Sequence, residues 1–336
     1  MAQGSATRRA RIRLAIGLAI GGGAVYAVVS SAGGFADSFG ALTEASPRWL
    51  ALGALFEAAS YVTLGLMLRQ LVGDAIDRRT AIRLGLVVNG LGNILPAAPA
   101  EGVTLAGAEL RRRDVDARRT WIALGLLQWM SIRTLFGIAA LDALVVVAAA
   151  NRRYPHHAPG RFIIVGAAIA ILATLVGTAW LASRRRTMEL AAILVGKFDR
   201  RGARRLIDRR EQGARWYAEI HGALGSRRAH LDIVALAIAS CLADATCFYC
   251  ALKSVGVDLK PAQFVFAYAV GMIATLVPFV PNGLGIVETV VPALLHRAGV
   301  PIATALAGVL AFRALATVLP AAFGTAALLR LRLTPS

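Results

Sequence analysis

The stretch Ile82–Glu109, IRLGLVVNGLGNILPAAPAEGVTLAGAE, decides the fold. It is long and apolar enough to cross the roughly 30 Å hydrocarbon layer of a bilayer as a helix. Two features argue against a simple crossing. Pro96-Ala97-Ala98-Pro99 interrupts it near the middle, where proline removes a backbone donor and clashes with the preceding turn. The flanking segments, Arg69 to Arg83 and Arg111 to Arg119, carry 4 and 5 basic residues, and short loops rich in Lys and Arg stay in the cytoplasm. A run that starts and ends on one side is a hairpin. It enters the bilayer, turns near the midplane at Pro96 and Pro99, and leaves by the same face.

Outward from this hairpin the apolar runs Ile12–Ser31, Trp49–Leu68, Trp121–Ala150, Phe162–Ser183, Leu231–Leu252 and Ile302–Leu329 each have the length of a membrane span. Ser30-Ser31-Ala32 resembles a cleavage site, but the run before it is longer than a signal core, so an uncleaved first span is expected. The composition agrees: 57% hydrophobic and 17% charged residues, where a soluble domain has about half and a quarter. The net charge of +18 would suit nucleic acid, yet 28 of the 37 Lys and Arg sit in five short clusters between apolar runs. That placement orients a membrane protein toward the cytoplasm and meets anionic headgroups, which makes lipid rather than nucleic acid the expected partner. Both termini are expected on the cytoplasmic side of the membrane.

A second run, Phe264–Leu295, is broken from Pro278 to Gly285 and has lightly charged flanks, as a hairpin from the opposite face would. The chain then reads as two halves, 11–150 and 161–331, within a single membrane domain 1–336. Pro96 and Pro99 match Pro278 and Pro281 at an offset of 182, and Arg133 matches Arg313 at 180. An odd number of crossings separates the halves, so the second is upside down. The expected fold is all-α: six spans and two re-entrant hairpins in an inverted repeat, the arrangement that places transporter sites at the bilayer midplane. The cytoplasmic insert 184–229 repeats Leu190, Leu194 and Phe198, then Trp216, Ile220 and Leu224, at helical spacing among arginines. Amphipathic helices on an anionic surface have that pattern; so does a solvated connector.

Ionisable groups in hydrocarbon are costly and face a cavity or a partner. Here they are Glu57, Arg133, Asp244 and Arg313, with Glu101 and Glu288 just beyond the breaks. Arginine keeps its charge, so Arg133 and Arg313 each need a carboxylate, a set of carbonyls or a bound anion. Half-helices starting near Glu101-Gly102 and near Gly285 would aim free N–H groups at the protein centre. The glycines of Asn282-Gly283-Leu284-Gly285 would let backbone approach a ligand closely. Glu57 and Asp244 are candidates for ion pairing or proton coupling. The alternative for the intramembrane charges is Arg–carboxylate pairing that locks helices together, and for Glu101 and Glu288 that they simply favour the half-helix starts. No Ser-His-Asp grouping, zinc motif or phosphate loop appears, so no catalytic residue, metal or cofactor is expected. Cys241, Cys247 and Cys250 read as small buried residues.

Pro281-Asn282-Gly283-Leu284-Gly285-Ile286-Val287-Glu288 followed by Arg313, with Pro96 through Glu101-Gly102 as its first-half counterpart, resembles the signature of the lysylphosphatidylglycerol synthase membrane-domain family. That family includes the flippase portion of the bacterial multiple peptide resistance factor and stand-alone flippase-like proteins, some tied to hopanoid or glycolipid pathways. The resemblance runs from Arg11 to Leu331. Asn282 and Ala100 stand where the family has glycine. No soluble aminoacyl-transferase domain follows Arg332, so lysyl transfer is not implied. The expected function is to translocate or present an amphiphilic, anionic lipid between leaflets, with Arg133, Arg313 and the hairpin N-termini on the headgroup. A lipid-modifying membrane enzyme and a non-transporting partner of lipid-biosynthesis enzymes are the rival readings.

Overall fold

The computed structural model describes residues 35–94, 99–153, 214–215, 217–222, 224–276 and 280–333. The expected spans Ile12–Ser31 and Phe162–Ser183, most of the insert 184–229, and the break residues Pro96 and Pro278 lie outside them. Every regular element among the described residues is helical. Among the described residues four helices are long and apolar enough to cross a bilayer: Pro47–Val72, Ala117–Leu141, Arg227–Ser254 and Ile302–Leu333.

After a short helix α1 (Phe35–Thr43), α2 (Pro47–Val72) starts with proline in its first turn and stops at Gly73, which sits at φ 81 and donates its N–H to the Arg69 carbonyl at 2.7 Å. Its main partner is α6 (Arg227–Ser254), capped by Ser226, whose side chain accepts from the Ala229 N–H. The two run antiparallel. Ser46 N–H meets the Ser254 carbonyl at 2.7 Å, Gly53 faces Cys250, and Ser60 and Ser240 hydroxyls bond at 3.1 Å. A Cβ on Gly53 would lie 2.9 Å from Leu315 Cδ1 and 3.3 Å from Cys250 Cβ, so the seam depends on the missing side chain.

Between α2 and α5 (Ala117–Arg153) lies the first hairpin. α3 (Arg78–Gly85) begins at Asp77, whose carboxylate accepts from Thr80 N–H at 3.1 Å. It widens into a π turn (Leu86–Leu91), tightens into a 3₁₀ turn (Gly92–Ile94), and the chain returns as α4 (Pro99–Arg111). The arms pack so closely that a Cβ on Gly102 would overlap the Val88 carbonyl oxygen and lie 2.9 Å from Gly92 Cα. The second hairpin pairs α7 (Pro261–Ala274) with α8 (Val287–Arg297) through a 3₁₀ turn at Pro281–Gly283. Here Gly283, at φ 63, abuts the Ala274 carbonyl, and a Cβ there would lie 2.6 Å from that oxygen. The turns Gly92–Ile94 and Pro281–Gly283 pack on each other, so the two hairpin tips meet.

The last helix joins both hairpins. α9 (Ile302–Arg313) packs on α8, a π turn (Ala314–Val318) follows, and α10 (Leu319–Leu333) packs on the Leu86–Leu91 turn. Buried apolar side chains form two clusters. One surrounds the first hairpin, with Met67, Leu68, Leu84, Leu110 and Leu124; the other surrounds the second, with Phe248, Leu252, Val291, Leu295 and Val309. The half-helix expected to start near Gly285 begins two residues on, at Val287, because Gly285 at φ 83 and Gly283 hold the approach out of helical geometry. Its counterpart starts at Pro99, which puts Glu101 in the first turn as expected.

Candidate functional site

A cavity of about 380 Å³ lies between the two clusters and beneath both hairpin tips. Leu64 and Ala237 of the first cluster and Leu135, Tyr268 and Phe312 of the second form its apolar wall. Polar groups arrive from every side: Asn89 and Asn93 from the first tip, Gln128 and Ser131 from α5, Asn282 from the second tip, and Arg313 and Thr317 from the last helix.

Arg313 is 8% exposed and reaches this cavity from the end of α9. Its Nε donates to Glu288 Oε1 at 2.7 Å and its Nη2 to the Asn282 carbonyl at 2.7 Å. The other Glu288 oxygen accepts from the Gly285 N–H at 2.7 Å. Glu288, 6% exposed, therefore does two things at once. It neutralises a buried guanidinium and occupies the N-terminus of α8, where N–H groups and the helix dipole favour an anion. Asn282 takes the left-handed backbone (φ 47) that turns its carbonyl toward Arg313, and its Nδ2 donates to Thr317 Oγ1 at 3.1 Å. Asparagine tolerates this conformation better than other residues with a side chain, which is how it stands in for glycine here.

A second polar group lines the opposite seam, between α2 and α6. Glu57, Ser60, Ser240, Cys241 and Asp244 all border the cavity. Tyr268 of α7 donates its hydroxyl to Asp244 Oδ2 at 2.6 Å. Glu57 is 5% exposed, and its Oε2 has no hydrogen-bond partner among the described residues.

The structure thus brings Arg313, Glu288, Asn282, Gly283 and Gly285 together, with Glu57 and Asp244 across the same cavity. It does not bring Arg133 there. The Arg133 guanidinium lies 5.2 Å over the Trp129 ring, one turn back on α5 and away from the cavity lining, a cation–π contact with a described residue. Gly102 is likewise a packing glycine held against Val88, and Glu101 is half-buried in the α4 first turn outside the cavity lining. The Gly285 N–H expected to face a ligand is taken by Glu288. Reading the sequence for charge alone passed over Asn89, Asn93 and Gln128. Neutral amides inside apolar runs were the signal, since an amide in hydrocarbon also needs a partner.

A family model described as the lysylphosphatidylglycerol synthase TM region matches residues 14–324. The chain belongs to this family. The match takes in both hairpins, the cavity and Arg313, so the site lies within the region that defines the family. Comparison with curated proteins finds no match. Membership makes this a membrane protein, in agreement with the four span-length helices among the described residues.

Proposed function

We propose that this protein is a flippase-like carrier that moves, or presents, an amphiphilic lipid with an anionic headgroup between the leaflets of the bacterial cytoplasmic membrane. The cavity of about 380 Å³ under the two hairpin tips, with Arg313 on its wall, carries the reading. Small-ligand pockets run from about 300 to 1,000 Å³. A headgroup fits that volume while the acyl chains stay in the bilayer.

An alternating-access carrier needs two gates related by symmetry, and the packing supports that architecture. α2 and α6 begin 180 residues apart, at Pro47 and Arg227, and run antiparallel. The Ser60–Ser240 bond joins positions 180 apart. A two-fold axis carries each residue onto its repeat partner, so a contact between partners lies on the axis itself. In this reading each half supplies two of the four described spans and one hairpin that enters and leaves by the same face. The spans Ile12–Ser31 and Phe162–Ser183 complete six, and both termini are cytoplasmic.

The chemistry follows from the Arg313–Glu288 pair. An arriving phosphate offers Arg313 a doubly hydrogen-bonded partner. Glu288 keeps its bond to Gly285 N–H and releases the guanidinium, so the carboxylate acts as a stand-in for headgroup between turnovers. Movement of the lipid then draws on a gradient or on supply from lipid-biosynthesis enzymes, its expected partners. The lipid leaves unmodified, so the protein is a carrier rather than an enzyme.

The test uses vesicles containing fluorescent phosphatidylglycerol and the full chain, with inter-leaflet movement read by quenching from outside. Arg313→Gln combined with Glu288→Gln removes both charges and keeps polar side chains at both positions. This double variant should insert and fold, yet move phosphatidylglycerol at least about tenfold more slowly, the equivalent of one lost charged contact. Unchanged movement would make the pair a helix lock and end the phosphate reading.

A further inference from the structure

We infer that the α2–α6 seam holds a sodium-binding site on the cavity wall, formed by Glu57, Ser60, Ser240 and Asp244. The binding claim is independent of lipid movement; its use as a driving ion rests on the carrier reading above.

The placement is regular. Glu57 and Ser60 are three residues apart on α2, and Ser240 and Asp244 four apart on α6, so each pair shares one helix face. Because the helices run antiparallel and the serines bond at 3.1 Å, the two acidic side chains fall on the same side of the serine pair. All four border one cavity. Two of them carry full carboxyl groups on helices that also bury Tyr61, Cys247 and Cys250, and Arg313 does not compensate them. Its bonds go to Glu288 and to the Asn282 carbonyl.

Glu57 is the observation that asks for a ligand. It is 95% buried, it lines the cavity, and its Oε2 meets no donor among the described residues. A carboxylate oxygen held there without a partner is expensive. The donor set is oxygen only, which selects a hard cation. Calcium takes six to eight oxygens, waters included, and the four side chains leave five free, because one Asp244 oxygen already accepts from Tyr268. A monovalent ion needs fewer protein oxygens, and water in the cavity completes its shell. Bound sodium would offset one of the two carboxyl charges on the wall of the cavity that Arg313 also lines, so ion and headgroup would fill one cavity together.

The experiment titrates sodium chloride against potassium chloride and choline chloride at constant ionic strength, with the purified full chain in detergent. Thermal unfolding and tryptophan fluorescence are the readouts. The expected result is a saturable rise in melting temperature with sodium alone. Glu57→Gln and Asp244→Asn should abolish it, and Ser240→Ala should weaken the apparent affinity by about tenfold. If Glu57→Gln fails to fold, Ser240→Ala, which removes a single oxygen, still decides. Equal effects of all three salts, a shift with pH but none with sodium, or stronger stabilisation by an alkylammonium salt would each overturn the sodium site. None of these outcomes bears on phosphatidylglycerol movement, so failure here and failure of the carrier reading are told apart.

Discussion

The two hairpin tips share a sequence pattern and are held by different forces. The second is fixed by charge: Arg313 bonds Glu288 and the Asn282 carbonyl, and Glu288 bonds Gly285. The first is fixed by backbone contact. Gly102 sits on the Val88 carbonyl, Gly90 on the Pro320 carbonyl, and Gly324 on the Leu86 carbonyl. A proline-interrupted apolar run dictates that the chain turns back. It does not dictate how the turn is secured, which depends on what the neighbouring helices present. Polar bonds of the second tip could be exchanged for bonds to another polar group; the backbone contacts of the first could not.

The largest effect should come from breaking the charged tip on one side only. Arg313→Gln leaves Glu288 buried and uncompensated, and removing one member of a buried pair costs about 3–5 kcal/mol. Melting of the purified protein should fall accordingly, and adding Glu288→Gln should recover most of the loss. No recovery would mean that Arg313 acts through packing, like the other tip. Next is the steric tip. Gly102→Ala puts a methyl group onto the Val88 carbonyl, an overpacking cost of about 1–3 kcal/mol. A variant as stable as wild type would erase the contrast between the tips.

Asn282 sharpens the comparison. Asn282→Ala loses the Thr317 bond and retains the left-handed strain, for about 1–2 kcal/mol. Asn282→Gly loses only the bond and should lie between Ala and wild type. The smallest effect is expected at the entry to the first hairpin, where Asp77 caps α3. Hydrogen bonds from Thr80 hold its carboxyl below the ordinary aspartate value. A lowered folded-state pKa contributes stability that is present above the unfolded value near 4 and is lost as pH falls through the folded one. Asp77→Ala should therefore cost about 1 kcal/mol at neutral pH, with the difference from wild type vanishing in acid.

Much of the architecture is legible because hydrocarbon imposes a length on apolar runs. The runs Trp49–Leu68, Leu231–Leu252 and Ile302–Leu329 lie within Pro47–Val72, Arg227–Ser254 and Ile302–Leu333. The pairing of Arg313 with Glu288 was among the readings open from sequence, since an arginine in an apolar run needs a partner. Arg133 shows where the inference stops. It lies 180 residues before Arg313, but its guanidinium lies over Trp129 on its own helix, and a sequence offset carries no information about local rotamers. Glu57 and Asp244 share a cavity because two antiparallel helices cross at Ser60 and Ser240. Neither the crossing point nor the glycine contacts that allow it are written in hydropathy.

The π turn at Ala314–Val318 gives the last helix a property that a plain α-helix lacks. It contains one surplus residue relative to α-helical winding. If that surplus migrates along the helix, only the residues it passes are displaced, by about 100° and 1.5 Å. Everything beyond either end keeps its place. α9 stays docked on the second hairpin and α10 on the first, while Arg313, Ala316 and Thr317, which face the cavity, sit in or beside the segment that shifts. The helix can work as a peristaltic rod, re-indexing the cavity wall between two anchored ends without a rigid-body swing of either half.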